Sequence, residues 1–122
     1  MAAARVLIIE DDLDNREMVK FLLQRGGFEV MGVPNGTEGL AMAQENVPDL
    51  ILLDMTIPGM DGWQLAHQLK EDPLTQHIPI IALTAHTLPG DRKRALDAGC
   101  DGYISKPISV LTFADEVKEY IK

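Results

Sequence analysis

The stretch "PDLILLDMTIPGMDGW", Pro48 to Trp63, decides how this chain is read. Leu50 to Leu53 form a short unbroken apolar run, which suits a strand covered on both faces, and the run ends in a carboxylate, Asp54. No helix follows at once for that acid to cap, because "MTIPGMDG" intervenes. A buried carboxylate without a partner is costly, so a cation is expected at the end of this strand.

Working outward, runs of the same kind recur as "RVLIIE", "FEVMGV", "IPIIALT" and "GYISK". Between them, apolar residues fall at helical spacing, and the chain reads as a strand–helix unit repeated five times. Helix one is expected over Leu13–Arg25, with Met18, Phe21, Leu22 and Arg25 on one side and Gly26-Gly27 as its stop. Helix two covers Gly36 to Asn46; helix three starts near Gly62 and ends before Pro73. Helix four begins around Pro89, a good first-turn residue, and stops at Gly99. The remainder forms helix five, with Val110, Ala114, Val117 and Ile121 as its inward stripe. Strands alternating with helices predict an α/β fold, a parallel sheet with helices on both faces. In such a sheet the strand C-termini share one edge, and ligands bind there where the strand order reverses.

The 122 residues fit one domain, and 46% apolar with 25% charged residues is a globular composition. The N-terminal "MAAARVLIIEDD" is too short in apolar residues and too early in acids for a secretory signal, and no stretch approaches a membrane span. A cytoplasmic location follows as the expectation. With 11 Lys and Arg against 19 Asp and Glu, the formal charge of −8 repels phosphate backbones and anionic membranes, which argues against direct nucleic-acid or membrane binding. Cys100 is the sole cysteine and is read as a small packed residue without chemistry.

Strand one ends in Glu10, Asp11 and Asp12, strand three in Asp54, strand four in Thr84, and strand five runs into Ser105, Lys106 and Pro107. Acids opening helix one would account for "EDD" alone through the helix dipole. If strands one and three are neighbours, however, Glu10, Asp11 and Asp54 converge, and several anions in one pocket either raise one another's pKa or recruit a hard cation. Mg2+ fits, since it takes few protein carboxylates and works beside phosphate. Lys106 offers a point charge and Thr84 a hydroxyl. Together these groups fit one reaction, in which an aspartate carboxylate attacks phosphorus and the cations stabilise the phosphoryl oxygens.

The set "IIEDD", "LLDMTIPGMDG", "IIALTA" and "YISKPI" resembles the receiver domain of bacterial two-component response regulators over essentially the whole chain, residues 1–122. The resemblance implies a flavodoxin-like (βα)5 fold with strand order 2-1-3-4-5. It implies that Asp54 accepts a phosphoryl group from a sensor histidine kinase or a histidine phosphotransfer protein. Asp11, Asp54 and the main-chain carbonyl of Thr56 would ligate Mg2+, or Mn2+ in its place, and Glu10 would act through a water. Asp12 falls at a variable position and is read as a helix cap. Lys106 would pair with the phosphoryl group, aimed by a cis bond to Pro107. Thr84 and Tyr103 match the family's switch pair, and Ala85 leaves access to the phosphoryl group. Thr56 and His86 match positions that influence phosphoryl lifetime. Pro58 and Gly59 turn the chain beside the site, while Met55, Met60 and Trp63 are read as packing. His67 and His77 lack metal-ligand partners at convincing spacing.

The function expected on this resemblance is a phosphorylation-controlled interaction switch, not an enzyme beyond its own phosphoryl transfer and hydrolysis. Its output would be a protein effector bound through the face of helix four, strand five and helix five, where Arg92, Lys93 and Arg94 form a local basic patch. With all 122 residues used by the receiver, a single-domain regulator is expected, the alternative being a receiver excised from a larger regulator or hybrid kinase. A second class, the haloacid dehalogenase-like aspartyl-phosphate hydrolases, places another acid two residues after the nucleophile, where this chain has Thr56, and needs a cap insertion that is missing. A scaffold-only receiver would have no use for the Glu10, Asp11, Asp54, Thr84 and Lys106 set.

Overall fold

Every residue of the strand Leu50–Asp54 (β3) is buried, and so is every residue of Ile80–Thr84 (β4), as the unbroken apolar runs require of strands covered on both sides. The computed structural model describes residues 3–55, 62–84, 91–105 and 108–121. In chain order the other elements are Arg5–Ile9 (β1), Leu13–Arg25 (α1), Glu29–Val33 (β2), Gly36–Asn46 (α2), Gly62–Glu71 (α3), Asp91–Asp97 (α4), Gly102–Ser105 (β5) and Phe113–Lys118 (α5). The strands form one parallel sheet in the order β2-β1-β3-β4-β5. The chain steps from β1 outward to β2, then returns past β1 to β3, so the order reverses between β1 and β3. The C-terminal ends of those two strands flank the crevice where ligands of such sheets bind.

Alternate residues of each strand feed two cores. Leu7, Ile9, Ile51, Leu53, Ile80 and Ala82 pack with Ala43 of α2 and Leu65, Ala66 and Leu69 of α3. Val6, Ile8, Leu50, Leu52, Ile81 and Leu83 pack with Val19 and Leu23 of α1 and Phe113 and Val117 of α5. Each fully buried Leu or Ile contributes about 1.5–3 kcal/mol, so both faces hold the strand ends in place.

Local signals fix the helix ends. The Asp12 carboxylate accepts from the main-chain N–H of Asp14 and Asn15 at 2.9 and 3.3 Å, the N-cap read from the sequence. Asn35 accepts from Glu38 N–H at 2.8 Å and donates back to the Glu38 carboxylate at 3.0 Å, a reciprocal cap on α2. That helix ends on Val47 at φ 42°, a left-handed conformation that strains a β-branched residue. The Arg5 guanidinium donates to the carbonyls of Asn46 and Val47 at 2.6 and 3.0 Å, satisfying groups the helix end leaves open.

Two stripes differ from the sequence expectation. On α1 the buried residues are Val19 and Leu23, with Leu22 partly buried, whereas Met18 and Phe21 are 41% and 57% exposed. Val19, Leu22 and Leu23 make a second apolar frame overlapping the expected one, and packing against β1 and β2 selects it. The Arg25 guanidinium lies 5.7 Å above the Phe21 ring, covering part of what remains outside. Val110 precedes α5 and is exposed, because the chain first makes a turn in which Thr112 and Phe113 N–H donate to the Ser109 carbonyl. Phe113 takes the place expected for Val110, while Val117 is buried as expected and Ala114 and Ile121 pack partly buried against the same core. The expected start of helix four at Pro89 lies outside the described residues; its stop at Gly99 coincides with φ 101°.

Cys100 is buried beneath α3 and β4, and burial first, then the Asp101 charge, push its thiol up to about 12, with Lys70 opposing. Native chain at pH 8 is therefore expected to react with an aromatic disulfide reagent on the order of 10²-fold or more slower than chain unfolded in denaturant. Equal rates would show the thiol to be open. The unfolded thiol ionises first, from its ordinary value of 9.0, so this group's contribution to stability falls as pH rises from there toward 12.

Candidate functional site

Glu10 follows β1 directly and Asp54 closes β3, and pairing of Ile9 with Leu53 sets the two strand ends side by side. Both acids are held inside, Glu10 3% and Asp54 1% exposed, while Asp11 is exposed at the rim. Carboxylate oxygens of Glu10, Asp11 and Asp54 all lie within 4.8 Å of one another. The convergence expected of neighbouring strands one and three is present.

Backbone bonds fix these positions. Glu10 N–H donates to the Val33 carbonyl at 3.0 Å, and Met55 N–H donates to the Leu83 carbonyl at 2.9 Å, so the chain is held on either side of the acids. The Glu10 side chain turns back to accept from Asp12 N–H at 3.5 Å, the outer limit of such a bond. Close to Asp54, α3 opens with Gly62, where an added Cβ would lie 3.2 Å from the Met55 Cα. Only a residue without a side chain lets the helix start so near the strand end.

Three hard oxygen donors in one pocket fit a hard divalent cation. Mg2+ is small, keeps several waters and uses one or two carboxylates directly, which matches two buried acids and one at the rim. Softer metals would call for imidazole or thiolate, and among the described residues the converging group holds neither: His67 is exposed and bonded to Glu71 at 2.7 Å, and Cys100 is buried in the core.

Thr84 ends β4, the strand beside β3, and is 2% exposed. Tyr103 is half-buried on β5 in register with Ala82 and packs against the core on the α2–α3 face. Thr56, Pro58, Gly59, Met60, Ala85, His86, Lys106 and Pro107 lie outside the described residues, and with them the cis bond and the third metal ligand expected from the sequence. Lys106 is the residue after Ser105, which pairs with Thr84 in the sheet.

Two residues gain roles that the sequence reading did not give them. Arg16, on α1, donates from its guanidinium to the Glu10 carbonyl at 2.9 Å. Trp63, taken as packing, carries the Arg94 guanidinium 4.7 Å above its ring, joining α3 to α4. Arg94 is thus engaged with a neighbouring helix within the expected basic patch, and Lys93 is exposed.

The profile of the response regulator receiver domain matches residues 6–118. Among curated proteins, the polar-differentiation response regulator DivK of Brucella anthropi is 41% identical over 116 residues, spanning 95% of this chain and 94% of its own length. DivK of Brucella ovis is 40% identical over 116 residues with the same coverage. Among solved structures, the chemotaxis protein CheY4 of Vibrio cholerae superposes with a TM-score of 0.92 at 30% identity, covering 98% of this chain and 100% of that one. The receiver domain of the sensor histidine kinase PA1611 of Pseudomonas aeruginosa, solved with a magnesium ion coordinated in its active site cleft, superposes with a TM-score of 0.87 at 29% identity over 98% of each chain.

Proposed function

The chain belongs to the response regulator receiver family, the phosphoacceptor switches of two-component signalling, and from that premise we propose that Asp54 is the residue that takes the phosphoryl group. The convergence of Glu10, Asp11 and Asp54 at the crevice between β1 and β3 carries the reading. Receivers take phosphoryl groups from histidine kinases or phosphotransfer proteins and act on downstream effectors. Here an Asp54 oxygen forms the new bond to phosphorus as the phosphorus–nitrogen bond of a phosphohistidine breaks, the imidazole nitrogen keeping the electron pair.

Asp11 and Asp54 would hold Mg2+ directly, with the Thr56 carbonyl as a further ligand and Glu10 acting through water; Mn2+ would suit the same donors. The ion supplies positive charge to the phosphoryl oxygens during transfer. Thr84, at the end of the adjacent strand, donates its hydroxyl to one of those oxygens, and Lys106 donates its ammonium to another. Drawing the Thr84 hydroxyl toward the phosphoryl group frees room for the Tyr103 ring, which biases the face of α4, β5 and α5 toward an effector. Thr56 and His86 set how long the group stays before water removes it. Beyond this self-directed chemistry the chain turns over no separate substrate. Action in the cytoplasm, beside the kinase's phosphorylated histidine, is part of the same family-based reading; among the described residues no helix is long and apolar enough to cross a membrane.

Intact mass measurement after incubation with Mg2+ and acetyl phosphate tests this reading. A single phosphoryl adduct that disappears with a chelator is expected. No adduct, or one indifferent to the chelator, would overturn it.

A further inference from the structure

We propose that Arg16 is a positioning residue for the metal pocket: by holding the Glu10 carbonyl it fixes the peptide joining Glu10 to Asp11, and with it the directions in which both carboxylates present oxygen to Mg2+. The inference rests on the metal reading above. It starts from a donor–acceptor pair, the Arg16 guanidinium and the Glu10 carbonyl, 2.9 Å apart and partly buried. The same residue is held on its other side, where Glu10 N–H donates to the Val33 carbonyl at 3.0 Å. Both polar groups of the Glu10 main chain are therefore committed, and the planar peptide that follows has little freedom to turn.

Arg16 reaches this carbonyl because of a glycine in the neighbouring strand. Its stem crosses β2 at Gly32, where an added Cβ would lie 2.9 Å from the Arg16 Cδ and 3.0 Å from the Cγ. Gly32 has no turn to make: it sits inside β2, in register with Ile8. A glycine there forgoes strand packing, and the close passage of the arginine gives it a reason.

Positioning and plain electrostatics predict opposite signs. Guanidinium charge near three acids repels a dication, so removing the charge alone would tighten Mg2+ binding. Removing an outer partner that orients the ligands weakens it, commonly by 10-fold or more. Calorimetric Mg2+ titration of the full chain, with Arg16→Met, Gly32→Val and the double variant, separates the two. Met keeps the stem and loses the donor; Val at position 32 displaces the stem and leaves the donor on a side chain that no longer reaches.

Each single variant is expected to bind Mg2+ about tenfold more weakly than the parent, and the double variant no more weakly than the weaker single one, since both act through one contact. At saturating Mg2+, the rate of phosphoryl uptake by Arg16→Met should return to within a few-fold of the parent's, because Arg16 touches no reacting atom. Unchanged or tighter binding by Arg16→Met, or additive losses in the double variant, would overturn the proposal while leaving the metal reading intact. A parent chain that binds no Mg2+ would overturn both.

Discussion

Asp54→Asn is expected to take up no phosphoryl group from acetyl phosphate under conditions where the parent is labelled, a loss on the order of 10⁴-fold or more, the scale on which removal of a nucleophile acts in enzymes with covalent intermediates. The amide matches the carboxylate in size, and the site is 1% exposed within a strand buried along its whole length, so the fold should survive the change. What disappears is chemical. An amide oxygen is a poor nucleophile toward phosphorus, and one of the three converging anions is lost. Mg2+ should raise the melting temperature of the parent, since a ligand that binds only folded chain stabilises it, and should raise that of the variant less. Intact mass together with melting curves, with and without Mg2+, checks both parts. An adduct of equal yield on the variant would place the acceptor elsewhere.

Phe113→Ala is expected to cost about 3–5 kcal/mol, as truncation of a fully buried aromatic ring does. Against the roughly 5–15 kcal/mol typical of whole domains, that brings the chain close to its unfolding threshold. The size of the effect comes from full burial of the ring on a short helix. The helix has six residues, too few to be stable alone, and its N-cap Thr112 makes no side-chain cap bond. It is attached by the Phe113 ring, fully buried in the core with Ile8, Leu52 and Ile81, by Val117 one turn on, and by the partly buried Ala114. Denaturant unfolding reads the loss as a lower midpoint at similar slope. A midpoint near the parent's would mean that α5 adds little to the cooperative unit.

The sheet was legible because each strand is a short apolar run bounded by turn residues, and the acids at the strand ends were legible because charge after "LILL" or "VLII" has no packing purpose. Helix faces were harder to read. On α1, Met18 and Phe21 share helical spacing with Leu22 as well as Val19 and Leu23 do, and composition does not distinguish the two frames. Only the docked sheet does. Near Val110 the apolar periodicity continues into a segment that the backbone uses as a turn, and Leu111 beside it is 91% exposed. Arg16 escaped notice for a different reason. Its role depends on a carbonyl six residues back and on a missing Cβ in another strand, a juxtaposition that exists only once β2 lies beside β1. A glycine between Met31 and Val33, inside the strand β2, was the one available sign.

The stack of Arg94 on Trp63 gives the chain an optical property of its own. Trp63 is the sole indole, it lies in the first turn of the helix that follows the Asp54 loop, and the charge above its ring comes from α4. Fluorescence from such a ring depends on the cation's distance and on the water that replaces it. Any event that slides α4 against α3 is thereby written into the emission of one residue, without a dye.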